Sequence, residues 1–293
     1  MTQTPAPMQV SKWRRSIKRM FPLLLIAYFA VVLLVALFQR RLLYFPTKLT
    51  ARQAELAAAE EGFAPWTNKL GQLIGWKIPA NGSPTGSVLV IHGNAGCALN
   101  RGYLAKPIHM AAGVDVFILE YPGYGSRGGS PTMNNILAAA EEAFAALDQT
   151  KPISVVSESV GCGAAAHLAK THSREVAGLM MFVPFDNLPA VAQRKMPLLP
   201  AYLVLLDRFQ PAKWLRDYRG PVKIVVAEAD EIIPPKSGRR LFDACNEPKR
   251  LQIVPKAGHN DVAEQSPEWW NEVFAFWQKN RQGVTKHAVR ERL

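Results

Sequence analysis

The chain has 293 residues, 48% of them hydrophobic, which excludes a disordered protein and suits one large α/β domain once the termini are set aside. A net charge of +12 is typical of proteins that bind nucleic acid, but seven Lys or Arg residues and no acidic residue precede Tyr44. Because much of the imbalance lies there and no basic–aromatic stripe follows, we expect no nucleic-acid partner.

An uncharged apolar run occupies residues 20–38 and is long enough to cross a bilayer as a helix. Its length and the following Arg40 and Arg41 favour an uncleaved signal anchor over a cleaved signal peptide. Five basic residues precede the run, so we expect a cytoplasmic N-terminus and a main domain on the periplasmic, extracytoplasmic side. The predicted division is a basic N-terminus (1–19), an anchor (20–39), a linker with a short helix (40–70), a folded domain (71–281) and a loose polar tail (282–293).

Short apolar segments alternate with helical ones after residue 70. Thr50 begins a capping-box pattern for a short helix that ends at Gly62. Strands are predicted at 73–78, 88–91, 116–119, 153–156, 179–183, 223–227 and 251–254, and helices at 100–112, 133–148, 160–170 and 267–279. This alternation predicts an α/β fold with a mostly parallel sheet covered on both faces, where ligands bind at the carboxyl ends of the strands.

Three cysteines, Cys97, Cys162 and Cys245, form no CxxC or Cys/His metal pattern. We expect buried thiols, although one disulfide stays open in an oxidising compartment. No glycine-rich nucleotide motif is present, so we expect no nucleotide site.

The candidate nucleophile is Ser159. Residues 157–161 read SESVG directly between a predicted strand and helix, close to the G-x-S-x-G nucleophile elbow. Ser157 replaces the first glycine but is also small. An ordinary serine turn that caps a helix is the alternative.

A serine nucleophile needs a base and an acid that orients the base. His259 follows the last predicted strand, where a loop histidine can reach a serine on another strand, and it is preferred over five other histidines. Asp230 follows the strand at 223–227 and fits the chain order Ser–Asp–His. Asp186, and more weakly Glu228 and Glu231, remain alternatives for the acid.

The oxyanion of acyl transfer needs two backbone N–H donors. Val160 follows the nucleophile at a helix N-terminus, and Asn94 lies in the Gly-rich turn 92–96, which reads HGNAG. We predict these two residues as the donors.

Together these segments resemble the alpha/beta-hydrolase superfamily, and most closely the small membrane-anchored alpha/beta-hydrolase-domain serine hydrolases. The resemblance covers roughly residues 42–277 and rests on six segments in order: RLLYFP (41–46), HGNAG (92–96), EYPGYG (120–125), the elbow at Ser159, the loop of Asp230 and GHND (258–261). It implies hydrolysis of esters, thioesters or less often amides without a cofactor, and it places the 121–125 turn near the active site.

The resulting hypothesis is a membrane-anchored serine hydrolase that cleaves ester or thioester bonds of small acyl or lipid-like substrates through an acyl-enzyme. The segment between residues 183 and 223 is too short for a large lid domain, and it is either a small apolar cover or a helix that simply packs on the sheet. Two alternatives stay open: a serine peptidase or amidase with the same triad, and a catalytically silent scaffold in the cell envelope, towards which only Ser157 points.

Overall fold

A computed structural model describes residues 10–290, with side chains from 20 to 281. Helix α1 (Val10–Leu43) contains the one described helical stretch long and apolar enough to cross a membrane, Met20–Leu43. The stretch therefore extends past the predicted end at residue 39. Of the predicted basic N-terminus, residues 10–19 are helical, and residues 1–9 lie outside the described residues, as do 291–293 of the predicted tail.

Eight strands form the central sheet in the order β10-β9-β8-β7-β4-β6-β3-β2, and β1 and β5 form a separate parallel pair. The β2–β3 and β3–β6 pairings of this sheet are antiparallel, and its other pairings are parallel. The strands are β1 (Phe45–Pro46), β2 (Ala64–Thr67), β3 (Leu73–Ile78), β4 (Ser87–Ile91), β5 (Ala95–Gly96), β6 (Asp115–Leu119), β7 (Ile153–Glu158), β8 (Val176–Phe182), β9 (Val222–Ala227) and β10 (Lys249–Val254).

Helices cover both faces of this sheet, because its strands alternate apolar residues towards two cores. In β4, Leu89 and Ile91 face one core, and Val88 and Val90 face the other. The first core includes residues of α4, α5 and α9, and the second those of α2, α3 and α10. The helices after α1 are α2 (Ala51–Glu61), α3 (Gly102–Ala111), α4 (Met133–Ala145), α5 (Gly161–Thr171), α6 (Leu188–Lys195), α7 (Ala201–Val204), α8 (Pro211–Trp214), α9 (Pro235–Ala244) and α10 (Pro267–Arg290).

The predicted linker over 40–70 is part of the folded domain. The Thr50 capping box and the left-handed Gly62 cap of α2 are confirmed. On either side, however, Tyr44 and Trp66 are buried, and β2 pairs with β3 at the edge of the sheet. Short apolar segments such as β1 and β2 carry too little periodicity to be predicted, and pairing with another strand defines them.

The tail predicted to be loose is helical as far as Arg290, where α10 ends. Sequence reasoning missed α9 as well, where Pro235 opens the helix at a position that favours proline. Between β8 and β9 the chain forms only short helices, so no large lid exists there. We call residues 188–206, which contain α6 and α7, the cap.

Candidate active site

Three side chains from three loops meet at the carboxyl edge of the sheet. Ser159 follows β7, Asp230 follows β9 and His259 follows β10. His259 Nδ1 lies 2.7 Å from Asp230 Oδ2, and His259 Nε2 lies 3.1 Å from Ser159 Oγ. Asp230 Oδ1 accepts hydrogen bonds of 2.8 Å from the backbone N–H groups of Ile232 and Ile233. A carboxylate held in this way can fix the histidine ring so that Nε2 accepts the serine proton.

The turn at Ser159 is strained and tightly packed. Ser159 has a φ of 50°, an unfavourable value for a residue with a Cβ. The strand-to-helix turn requires a glycine two residues later, because a Cβ on Gly161 would lie 2.3 Å from the Ile91 carbonyl oxygen. This close approach of α5 to β4 holds the serine hydroxyl out at the edge of the sheet, as a nucleophile elbow does.

The two predicted oxyanion donors, Asn94 and Val160, line the same pocket as Ser159. Val160 precedes the first turn of α5, so its N–H has no acceptor within the helix. The N–H of the neighbouring Gly93 is already engaged, because it donates to Glu158 Oε1 at 3.0 Å. Asn94 is therefore the better placed residue of this loop to offer an N–H to a substrate.

The residue that ends α1 is hydrogen-bonded to the 92–96 loop, which carries Asn94. The Asn94 side chain donates to the Leu43 carbonyl at 2.8 Å, and the Phe45 N–H donates to the Asn94 carbonyl at 2.9 Å. Tyr124, from the turn that the resemblance placed near the site, donates to the same carbonyl at 2.7 Å. The β1–β5 pair thus connects the apolar helix directly to the loop that carries Asn94.

Comparison with known proteins shows the family of this chain. A family model described as serine hydrolase matches residues 129–278, more than half of the chain. The chain belongs to the serine hydrolase family.

Similar proteins agree with this assignment. The serine hydrolase is 33% identical over 231 residues to an uncharacterised protein of Mycobacterium tuberculosis, covering 76% of this chain and 81% of the relative. It is 27% identical over 185 residues to alpha/beta hydrolase domain-containing protein 17B of Homo sapiens, covering 60% and 61%. An esterase of Pyrococcus furiosus superimposes with a TM-score of 0.60 at 17% identity, covering 81% of this chain and 99% of the esterase. The predicted alpha/beta-hydrolase fold and resemblance are confirmed.

A buried ionic cluster behind the serine was missed by sequence reasoning, which treated Glu158 as a local polar contact. Glu158 Oε1 lies 2.7 Å from Arg101 Nε, and Glu158 Oε2 accepts a 2.5 Å hydrogen bond from the Tyr103 hydroxyl. Arg101 in turn donates to the Ala95 carbonyl at 2.5 Å. Burial and the adjacent Glu158 charge raise the pKa of Tyr103 well above its usual value, so the phenol stays protonated and donates. The cluster therefore holds the turn at Ser159 and the 92–96 loop together.

Ser157, the departure from the elbow motif, is hydrogen-bonded away from the nucleophile. Its hydroxyl is fully buried and donates to the Met180 carbonyl of β8 at 3.1 Å. Because β7 extends through Glu158, Ser157 is a strand residue whose small side chain fits between β7 and α5. The turn at Ser159 keeps its left-handed φ with a serine at position 157.

The alternative acid, Asp186, is engaged elsewhere. Its two carboxylate oxygens accept hydrogen bonds of 2.6 and 3.0 Å from the Arg240 guanidinium. Partial burial is the largest single influence and by itself would raise the pKa of Asp186. Hydrogen bonds from Arg240 and Ser237, together with the charge of Arg240, outweigh it and leave the pKa below its usual value. No hydrogen bond joins Asp186 to a histidine among the described residues.

A cavity of about 870 Å³ opens above Ser159 and His259. Its other walls come mainly from apolar residues of the cap and of α1. The cap contributes the apolar residues Leu188, Val191, Ala192, Met196, Leu199, Ala201, Val204 and Leu205 and the charged Lys195, and α1 contributes Val35, Leu42, Leu43 and the polar Gln39. The volume is that of a site for a small organic molecule, and its lining suits an apolar one.

The remaining candidate ligands do not cluster. Among residues 20–281, no group of three or more His, Cys, Asp or Glu side chains is arranged to hold a metal ion. Cys97, Cys162 and Cys245 are buried free thiols, as the favoured prediction had it.

Proposed function

We propose that this serine hydrolase cleaves acyl esters or thioesters, with Ser159 as nucleophile, His259 as base and Asp230 as the residue that orients the base. The observation that carries the proposal is the run of contacts from Asp230 through His259 to Ser159 beside a largely apolar cavity. A small substrate with an apolar acyl group fits that lining.

The reaction has two halves. Ser159 Oγ bonds to the substrate carbonyl carbon while its proton passes to His259 Nε2, and the N–H groups of Asn94 and Val160 donate to the oxyanion. Collapse of the tetrahedral intermediate breaks the bond to the alcohol or thiol, which leaves with the proton from His259. Water then repeats the sequence on the acyl-enzyme and releases the acid.

A fluorophosphonate probe tests the nucleophile. We expect covalent labelling at Ser159 in the full-length protein and none in Ser159→Ala, with circular dichroism as the control for folding. A panel of matched esters, thioesters and anilides then ranks the substrate classes. Turnover of the anilide alone would indicate an amidase, and a folded protein without labelling would indicate a silent scaffold.

We also propose that Met20–Leu43 anchors the protein in a membrane, with the domain from Tyr44 to Arg281 outside the cytoplasm. Support comes from the length and composition of the helix and from the excess of basic residues before it. An alkaline phosphatase reporter fused after Leu293 should be active, and a cytoplasm-dependent fluorescent reporter at the same position should be dark. The opposite pattern would overturn this orientation.

A further inference from the structure

The outer face of the cap exposes an unusual concentration of large apolar side chains. Leu198 is 83% exposed and Leu203 is 79% exposed. Met196, Tyr202 and Leu206 are exposed as well, so five such residues lie within one short stretch of chain. A contiguous apolar surface of this kind in water marks a site of contact with a partner or a membrane.

The cap lies alongside α1, and the contacts follow the helix for several turns. The Tyr28 hydroxyl donates to the Leu198 carbonyl at 2.9 Å. Further along, the Gln39 amide donates to the Val204 carbonyl at 3.0 Å and accepts from the backbone N–H of Leu206 at 2.7 Å. These hydrogen bonds hold the cap along the side of α1.

The helical rise determines how deep the cap lies. Tyr28 is eight residues after Met20, or ~12 Å along the helix, whereas a bilayer's hydrocarbon core is about 30 Å thick. The remaining ~18 Å corresponds to twelve more residues, which ends at Arg40. If α1 enters the hydrocarbon core at Met20, Tyr28 lies ~3 Å short of the bilayer midplane, and the stretch from there to Arg40 runs through the leaflet next to the domain. The cap packs beside that same stretch.

Charged side chains flank the apolar surface of the cap. Arg40 is 3.5 Å from Asp207, immediately after the cap, and this ion pair falls at the end of the apolar stretch. Three exposed basic residues flank the apolar residues of the cap. Arg194 and Lys195 end α6, and Lys195 also lines the cavity. Arg208 follows the cap and donates to the carbonyls of Leu203 and Leu205. Their long side chains allow the charges to reach lipid headgroups while the carbon chains stay in apolar surroundings.

The active-site cavity lies between these two elements. Val35, Gln39 and Leu42 of α1 form one side, and Leu199 and Val204 of the cap form another. A cavity lined by the anchor itself is adjacent to the lipid that surrounds the anchor.

We propose that the outer face of the cap, residues 196–206, inserts into the bilayer leaflet beside α1, and that the acyl chain of a membrane lipid enters the cavity sideways between α1 and the cap. The substrate class is therefore a long-chain acyl ester that resides in the membrane. This inference rests on the proposed function for its chemistry, but the insertion of the cap is testable without it.

Depth-dependent quenching tests the insertion in the full-length protein reconstituted in vesicles. A polarity-sensitive fluorophore is attached to Leu198→Cys or Leu203→Cys, and to Leu70→Cys as control, since Leu70 is 81% exposed and lies in the turn before β3. The three native cysteines are buried and should react little. We expect brominated acyl chains to quench the two cap positions and aqueous iodide to quench only position 70.

Two results would overturn the insertion. Iodide quenching at the cap positions would place the cap in water. Shielding from iodide without quenching by brominated lipid would instead indicate that a second copy or another protein covers the cap.

Activity on two substrates tests the lateral entry. Leu198→Ser combined with Leu203→Ser should lower the ratio of activity on a vesicle-embedded long-chain ester to activity on a soluble short-chain ester about tenfold. Leu70→Ser should leave that ratio unchanged. An unchanged ratio in the cap variant would overturn lateral entry. If the unmodified protein were not labelled by the fluorophosphonate probe, the proposed function would be overturned instead.

Discussion

Glu158 Oε1 accepts a 3.0 Å hydrogen bond from the backbone N–H of Gly93, which joins the residue before the serine to the loop that carries Asn94. Both halves of the proposed oxyanion site are thus positioned by one buried carboxylate. Arg101 balances the charge of that carboxylate at 2.7 Å and also holds the carbonyl of Ala95. The chemistry at Ser159 should therefore depend on a residue that never touches the substrate's reacting atoms.

Glu158→Gln should lower kcat about tenfold to a hundredfold with a smaller change in KM. The amide can still accept from Gly93, but Arg101 loses its charge partner and the loop shifts, which weakens stabilisation of the oxyanion. Steady-state kinetics and the rate of fluorophosphonate labelling measure the effect. Tyr103→Phe, which removes a single hydrogen bond from the same carboxylate, serves as the milder variant and should cost only a fewfold in kcat. Equal kcat in wild type and both variants would contradict the positioning role.

Asp230→Asn and Asp186→Asn form a matched pair for the choice of acid. Asp230→Asn should reduce kcat about 10³–10⁴-fold, because the asparagine no longer holds His259 in the required tautomer. Asp186→Asn should keep kcat within about threefold of wild type and instead lower the free energy of unfolding by about 1 kcal/mol, since its partner Arg240 is partly exposed. A larger loss of kcat in Asp186→Asn would show that the acid is misassigned.

The Asp186–Arg240 pair should also stabilise the fold in a pH-dependent way. The pKa of Asp186 is lower in the folded protein than its usual value of about 4, so the contribution is fully present above that value. It is lost as the pH falls through the folded pKa, where the carboxyl becomes protonated. Urea unfolding of wild type and Asp186→Asn should differ at pH 7 and converge below about pH 4. A difference that persists in acid would mean that the charge is not its source.

Ser157→Ala should be nearly neutral for catalysis. It removes the buried hydroxyl that donates to the Met180 carbonyl, which should cost about 1 kcal/mol of stability, but it leaves the turn at Ser159 as it is. The measurements are thermal unfolding and kcat on a soluble ester. A large drop in kcat at full stability would reveal a role for Ser157 in the reaction.

Gly161→Ala should be far more damaging than Ser157→Ala, although it adds only one methyl group. That methyl would lie 2.3 Å from the Ile91 carbonyl oxygen and 2.6 Å from that of His92, both backbone atoms that cannot move independently. The elbow must shift, so we expect kcat to fall at least tenfold together with a loss of about 1–3 kcal/mol of stability. Unaltered activity in this variant would argue against a tight elbow.

Much of the architecture could be predicted because its signals are local. Apolar strands such as β4 and β9, and the Ala-rich helix α4, have periodicities that are visible without any partner. The pair β1–β5 could not be predicted, since each two-residue segment becomes a strand only when a distant segment supplies its hydrogen bonds. Strand β2 was missed because it is short, although its neighbour β3 was predicted.

The sequence alone determined the order of the longer strands and helices other than α9, and the apolar helix. It also determined the set of candidates Ser159, Asp230, His259, Asn94 and Val160, because strand ends and turn residues are encoded over a few positions. Their catalytic roles remain a prediction. Only the tertiary structure separated Asp230 from Asp186, by pairing Asp186 with Arg240 across 54 residues of chain. It alone brought Glu158 to Gly93, and the anchor helix to the wall of the cavity. Such choices depend on distances between residues far apart in the chain, which only the packed fold fixes.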